Sequence, residues 1–347
     1  MRTVEWHNGT VRMIDQRKLP WELTVVDLTT YQAVSEAITN MTVRGAPAIG
    51  ASAGFGLALA GKQSSATDLE TLVEDLEQAS IHLKASRPTA VNLAWAIDRM
   101  MTLALKQAYD NPDELRKFLL DEAQKIADED VLINQQMGAI GASLVNDDFT
   151  ILHHCNTGAL ATVDYGTALG VVRASFEQGK KIHVLLDETR PRLQGSRLSA
   201  WELEQLGVSY DVIPDTASGY YMQKGEVDIV FVGADRVAAN GDVANKIGTY
   251  QIAVLAKENN IPFYTVAPTS TIDLALATGN DIPIEQRDLS EVRAPYGNPL
   301  IPDHFNARNP AFDITANRYL SGIVTENGIV RPPFTENLKR VVAGEKV

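Results

Sequence analysis

The sequence predicts an α/β fold in which a small β-plus-helical N-terminal domain precedes a parallel-sheet domain. Three observations carry this. The first 30 residues are strand-rich around Asn8-Gly9, the stretch from Tyr31 to Leu144 is helical, and after Asn146-Asp147-Asp148 apolar β-rich runs alternate with helical segments. Such alternation implies right-handed crossovers and an open parallel sheet. At roughly 150 residues per domain, 347 residues suggest about two. The boundary is expected near residue 145, giving domains 1–145 and 146–347.

Thr3–Trp6 and Thr10–Ile14 flank Asn8-Gly9, a strong hairpin signal, and Leu23–Leu28 reads as a third strand. Gly50–Gly61 is a small-residue stretch suited to close helix packing. Within it, Gly54-Phe55-Gly56-Leu57-Ala58-Leu59 resembles a dinucleotide fingerprint faintly, but it lacks the third glycine and follows no strand. No nicotinamide site is expected there. Asn111-Pro112-Asp113-Glu114 is a helix start, with an N-cap, proline at N1 and acids in the first turn. Leu115, Phe118, Leu119, Ala123 and Ile126 then mark one helical face.

In the second half, Phe149–His153, Ile182–Leu186, Tyr210–Ile213, Val227–Val232 and Ile261–Val266 are the apolar runs expected of buried parallel strands. Helices are expected over Ala159–Phe176, Leu198–Leu206 and Ala244–Lys257. The segment Asn309–Val330 is assigned to the second domain.

Composition narrows the function. Lys+Arg is 31 and Asp+Glu is 44, so the net charge is 31 − 44 = −13. Nucleic-acid coats neutralise phosphates with basic residues, so this chain is a poor candidate for one. A local anion site remains compatible with that charge. The single cysteine, Cys155, excludes an internal disulfide and suits a reducing compartment. With no apolar leader and no run of about 18 apolar residues, the chain is expected in the cytoplasm and not in a membrane.

Open parallel sheets bind ligands beyond the carboxyl ends of their strands. Those ends carry His154-Cys155-Asn156-Thr157-Gly158, Asp187-Glu188-Thr189-Arg190-Pro191, Gly233-Ala234-Asp235-Arg236 and Ala267-Pro268-Thr269-Ser270. Small, polar and reactive residues gather there.

Each candidate has a plain alternative. Arg44-Gly45-Ala46-Pro47 can be an anion-binding helix start with an arginine beside it, or an ordinary cap with a surface arginine. Gln194-Gly195-Ser196 follows the same pattern. Asn245-Lys246 is expected in a helix's first turn, where a lysine opposes the dipole unless an anion is near; the alternative is solvated surface. Cys155 is a small buried hydrophobe or, beside a helix N-terminus, a reactive thiol. Asp235 is a turn former or a desolvated general acid, with Arg236 opposing the second role if it points the same way. His153 and His154 face opposite sides of a strand, and the six histidines show no ligand spacing, so no metal is expected.

Taken together, these segments resemble the methylthioribose-1-phosphate isomerases, relatives of the translation initiation factor 2B regulatory subunits. The resemblance runs nearly end to end. It rests on VRGAPAIG (43–50), SRPTAVNL (86–93), CNTGALAT (155–162), ETRPRLQGSRL (188–198), GADRVAANGDVANKIGTY (233–250) and NPAFDIT (309–315). It implies a Rossmann-like C-terminal domain, a homodimer and no cofactor. It implies substrate binding by Arg44, Gly45, Ala46, Arg87, Gln194, Asn245 and Lys246, and Cys155 and Asp235 as the catalytic pair.

The implied substrate is a sugar 1-phosphate whose esterified anomeric oxygen prevents ordinary ring opening. An acid must protonate the ring oxygen, for which Asp235 is the candidate, and hydrogen must move from C2 to C1. Cys155 thiolate is the expected base at C2; a hydride shift is the alternative. Ribose 1,5-bisphosphate and 5-deoxyribose 1-phosphate, differing at C5, are competing substrates. A non-catalytic sugar-phosphate- or nucleotide-binding regulatory subunit is the competing role.

Overall fold

The Asn8-Gly9 turn closes a hairpin of β1 (Val4–His7) and β2 (Thr10–Ile14), and β3 (Val25–Leu28) pairs antiparallel with β2. Helices α1 (Tyr31–Thr39), α2 (Ala46–Gln63), α3 (Leu69–Ala85), α4 (Val91–Lys106) and α5 (Pro112–Ala142) follow. The computed structural model describes residues 2–88 and 91–347; Thr89 and Ala90 of the 86–93 segment lie outside these. α2 is the centre of this unit, buried continuously from Ala48 to Gly61. Its small residues let α1, α3 and α4 pack against it, as expected for that stretch.

α5 begins where the sequence places it. Asn111 accepts a hydrogen bond from the Glu114 amide (3.1 Å), and Glu114 in turn accepts from the Asp110 amide (3.0 Å). Asn111→Ala is expected to cost about 1 kcal/mol. Urea denaturation should then show a lower midpoint with an unchanged slope, and an unchanged midpoint would refute the cap.

Two compact units result: residues up to 132 together with 159–164, and residues 133–158 together with 165–347. The division falls inside α5, and the boundary expected near residue 145 lies just past that helix's end.

The second unit is built on a seven-stranded sheet. Its strands in chain order are β4 (Thr150–His153), β5 (His183–Asp187), β6 (Ser209–Ile213) and β7 (Ile229–Val232). A smaller sheet uses β8 (Arg236–Ala238) and β9 (Val243–Lys246). The large sheet resumes with β10 (Phe263–Val266). After β11 (Ile272–Asp273) and β12 (Phe312–Thr315) of the smaller sheet, β13 (Gly322–Thr325) and β14 (Gly328–Val330) complete it. Across the large sheet the order is β14-β13-β10-β7-β4-β5-β6, parallel except for the β13–β14 pair. Across the smaller it is β11-β8-β9-β12.

Alternate residues of each strand feed two cores, as a period of two requires. Leu152, Val230 and Phe263 pack on one face; Ile151, Val184, Phe231 and Tyr264 pack on the other. The first face is covered by residues of α8 (Ser218–Gln223), α9 (Thr249–Glu258) and α11 (Phe334–Val342). α6 (Ala168–Glu177) and α7 (Ala200–Leu206) cover the second. Both faces being buried is why β4, β5, β7 and β10 read as continuous apolar runs; the edge strand β6 is largely exposed. The α/β class and the parallel-rich sheet are those expected from the sequence. A short α10 (Ser290–Arg293) lies in the long segment between β11 and β12. No helix among the described residues is long and apolar enough to cross a membrane.

Candidate active site

Strand order locates the ligand cleft. From β4 the chain proceeds outward through β5 to β6, then returns to β4's other side as β7. That reversal is the topological switch point, beyond whose carboxyl ends open α/β sheets bind ligands. Cys155 follows β4 and Asp235 follows β7. Of the nine residues singled out, Cys155, Gln194, Asp235, Asn245 and Lys246 belong to this second unit. Arg44, Gly45, Ala46 and Arg87 belong to the first.

Cys155 is buried and its backbone is in the left-handed region (φ 71°). Its amide donates to Thr189 Oγ1 (2.9 Å), and its carbonyl accepts from Ser199 Oγ (2.8 Å). Thr189, beyond β5, is also left-handed (φ 65°). That conformation is a true outlier for a β-branched residue. Two such residues, hydrogen-bonded across neighbouring strand ends, hold on the order of 1–3 kcal/mol of strain each. Two amides keep Thr189 and Arg190 in place by donating to Asp215 (both 2.7 Å). Thr189 and Ser199 were not expected from the sequence; nothing in residue type marks a hydroxyl that holds a distant backbone.

The helix expected over Ala159–Phe176 begins only at Ala168. Residues 159–161 form a 3₁₀ turn, and Gly166 returns with φ 94° to bridge Gly158. The helix start still comes back to the Cys155 segment. Thr157 caps α6, its Oγ1 accepting from the Leu169 amide (3.0 Å) and its carbonyl from the Thr167 amide (2.7 Å).

Gln194 enters a five-residue π-turn, Gly195–Ser199, that runs into α7. π-turns concentrate at functional sites. Gln194 is buried, and its Oε1 has no hydrogen-bond partner among the described residues. Such an orphaned amide needs an explanation, and a bound polar ligand is one.

Asp235 departs from expectation. It is exposed, whereas a desolvated general acid was expected. Its amide donates to the Ala244 carbonyl (2.9 Å), which ties it to β9. The neighbouring Arg236 forms an ion pair with Asp273 (2.9 Å), giving its guanidinium a carboxylate partner on β11.

Asn245 and Lys246 also differ from expectation. They end strand β9 instead of opening a helix, because β9 pairs with β8 and β12. α9 starts after Gly248, and Asp313 of β12 accepts from the Gly248 (2.7 Å) and Tyr250 (3.0 Å) amides. A protein carboxylate therefore occupies the helix start where an anion was expected. Lys246 is buried, donates to the Ala311 carbonyl (2.9 Å) and lies 4.5 Å from the Phe312 ring centroid. Asn245 donates to Thr249 Oγ1 (2.9 Å).

In the first unit, Gly45 is the N-cap of the 18-residue α2, with φ 94° and no side-chain cap. A Cβ there would lie 2.2 Å from the Ala161 carbonyl oxygen, so only glycine fits. Arg44, Gly45 and Ala46 are half-buried at this helix start, the arrangement that binds phosphate. Arg87, also half-buried, follows Ser86 at the end of α3.

His153 and His154 are both buried. Desolvation pushes His153 down to about 4, despite its contact with the Phe231 carbonyl (2.8 Å), so it is neutral. His154, Asp187 and Asp215 bring ligand-type atoms within 4.8 Å of one another. The sequence did not suggest this cluster, whose members come from three strand ends. Hydrogen bonds already engage each member, which a cation would have to displace.

The profile of the initiation factor 2 subunit family matches residues 42–332. A methylthioribose-1-phosphate isomerase of Desulforamulus reducens is 51% identical over 346 residues, covering all of both chains. The crystal structure of 5-methylthioribose 1-phosphate isomerase from Pyrococcus horikoshii superposes with a TM-score of 0.94 at 51% identity, covering 99% of this chain and 96% of that one. A structure from A. fulgidus described as translation initiation factor eIF-2B, subunit delta, gives 0.90 at 43% identity and covers 99% of each.

Proposed function

Because the chain belongs to the initiation factor 2 subunit family and to the methylthioribose-1-phosphate isomerases, we propose that it converts 5-methylthioribose 1-phosphate to 5-methylthioribulose 1-phosphate in methionine salvage. It is an aldose–ketose isomerase. The observation that carries the assignment of roles is the position of Cys155 and Asp235 at the carboxyl ends of β4 and β7, on either side of the switch point.

In this reading, Asp235 protonates the ring oxygen as the bond from C1 to that oxygen breaks. Cys155 thiolate removes the C2 proton, leaving a phosphoenol between C1 and C2. C1 then takes a proton while the C2 hydroxyl loses one, giving the ketone. C2 is oxidised and C1 reduced, so the balance is internal and calls for no external redox partner. Asp235 is exposed here, so its desolvation must come from the bound sugar. Arg44 with the α2 start, and Arg87, hold the phosphate. Such fixed donors need no reorganisation during the reaction. Gln194, Asn245 and Lys246 complete the substrate contacts, and the working form is a homodimer.

Assaying the purified protein on 5-methylthioribose 1-phosphate, ribose 1,5-bisphosphate and 5-deoxyribose 1-phosphate tests the substrate. Turnover fastest on the methylthio sugar is expected. Faster turnover of another would reassign it, and binding without turnover would favour the regulatory-subunit reading that the A. fulgidus name raises. Deuterated water separates the routes: the proton route predicts solvent deuterium at C1 of the product, and a pure hydride shift predicts none.

A further inference from the structure

We propose that His154 and Asp187 form a proton-sharing pair that positions the active site, tying the strand end that carries Cys155 to the strand end that carries Asn245 and Lys246. The proposal rests on the isomerase reading above for its consequence, not for its geometry.

His154 lies directly before Cys155, completely enclosed. Its Nδ1 is 2.9 Å from Asp187 Oδ2, and its Nε2 is 2.9 Å from the Ile247 carbonyl oxygen. A carbonyl oxygen only accepts, so Nε2 carries a hydrogen. With Nε2–H in place, Nδ1 is either protonated and donates to a carboxylate, or bare and accepts from a carboxylic acid. Both descriptions hold one shared proton between the residues. Removing it would press a nitrogen lone pair against a carboxylate oxygen at hydrogen-bond distance, in a site without solvent. The geometry therefore favours the protonated form of the pair.

Each end of the pair is anchored. Ser218 Oγ donates to the other Asp187 oxygen (2.5 Å), and Thr189 Oγ1, which receives the Cys155 amide, donates to the Asp187 carbonyl (3.0 Å). At the far end, Ile247 directly follows Lys246. Gly248 closes over the imidazole so tightly that a Cβ would sit 3.0 Å from its Cε1. The charges acting on the ring are Asp187 on β5 and Asp215 beyond β6, and the ring in turn acts on Asp313 of β12; Lys246 on β9 acts on Asp313, Glu188 interacts with Asp187 and Asp215, and His153 on its own strand is neutral. The carboxylates acting on it favour a cationic ring. Desolvation alone would lower the His154 pKa, but the Asp187 hydrogen bond and the charges of Asp187 and Asp215 outweigh it, and the net direction is upward. Asp187 is raised as well, first by desolvation, as expected when one proton serves both.

The sign of the pH dependence follows. A histidine raised above its unfolded value contributes its full stabilisation below about 6.5, and loses it as pH rises through the higher folded value. The positioning bond is thus intact below about pH 6.5 and is lost on the alkaline side of that, as the folded value is passed.

Two measurements test this on the whole chain. Ring ¹⁵N NMR of labelled protein should show both His154 nitrogens protonated, or Nε2–H with Nδ1 in a strong hydrogen bond, with the proton lost only above about pH 6.5. A ring losing that proton at or below pH 6.5 would overturn the proposal whatever the substrate is. For the kinetic consequence, His154→Gln should lower kcat on the order of 10- to 100-fold, with KM changed less, since small displacements at a reacting centre carry such penalties. Asp187→Asn keeps a donor facing Nδ1 without a titrating proton. It should retain more kcat than His154→Gln and move or abolish the alkaline limb of the wild-type kcat profile. If active wild type shares its alkaline limb with Asp187→Asn, the pair is structural only. If wild type turns over none of the sugar phosphates, the isomerase reading fails while the NMR result still stands or falls alone.

Discussion

Cys155→Ser is expected to lose about 10²- to 10⁴-fold in kcat while folding normally, the range a positioned acid–base group supplies. The fold should survive because Cys155 holds its neighbours through its backbone: its amide reaches Thr189 and its carbonyl accepts from Ser199. Those bonds persist with serine. The hydroxyl is far less acidic than a thiol, so the base proposed at C2 would be lost. Asp235→Asn should lose a similar factor without unfolding, since its side chain is exposed and its anchor to Ala244 is its amide. The double variant should fall little below the worse single, because two groups serving one proton-transfer sequence are not additive. Circular dichroism and thermal midpoints near wild type, with kcat measured on 5-methylthioribose 1-phosphate, check this. Near-wild-type kcat in both single variants would remove Cys155 and Asp235 from the chemistry.

Gly195→Ala is expected to be the most damaging glycine substitution in the second unit. A Cβ there would lie 1.7 Å from the Asp187 carbonyl oxygen and 3.1 Å from Thr189 Oγ1. The obstacle is the backbone of β5, which has no rotamer to yield. Overpacking against rigid surroundings costs about 1–3 kcal/mol and occasionally more; the upper end or beyond applies here. The same shift would disturb Gln194, Thr189 and, through it, Cys155. Gly207→Ala is the control. Gly207 closes α7 with φ 74°, and a Cβ there meets nothing within 4 Å, so it should cost only about 1 kcal/mol from its backbone conformation. Guanidinium melts of the two variants decide the matter: equal stabilities would show that the β5 contact relaxes freely.

Much of the fold is legible in the amino-acid sequence. The five apolar runs of the second half coincide with β4, β5, β6, β7 and β10 to within one or two residues; β4, β5, β7 and β10 read as apolar because both their faces are buried, while the edge strand β6 is largely exposed. The hairpin at Asn8-Gly9 and the start of α5 were legible because turn and cap chemistry is local. The smaller sheet was not. Ala244–Lys246 reads as the opening of a helix, and only pairing with Phe312–Thr315, more than sixty residues later, makes Val243–Lys246 a strand. The Ala159–Phe176 segment failed in the same way. Its alanines favour a helix, but the backbone bridge between Gly158 and Gly166 ends one excursion of chain before α6 can begin.

The sequence by itself determined the layer architecture, the position of Cys155 and Asp235 at strand ends, the glycine helix start beside Arg44 and the kinship with sugar-phosphate isomerases. These follow from periodicity, turn chemistry and long ordered motifs, all of which act over a few residues or repeat along the chain. Only the packing of distant segments exposes Asp235, sets Asp313 at the α9 start, places Thr189 and Ser199 against the Cys155 backbone, and brings His154 Nδ1 to Asp187. Each depends on side chains separated by tens of residues meeting at hydrogen-bond distance. Hydrogen bonds and burial are set by such meetings, and residue type at one position does not encode which distant partner will arrive there. The lone cysteine shows both halves: its place at a strand end was written in local pattern, while the strained backbone that presents it exists only once the neighbouring strands are paired.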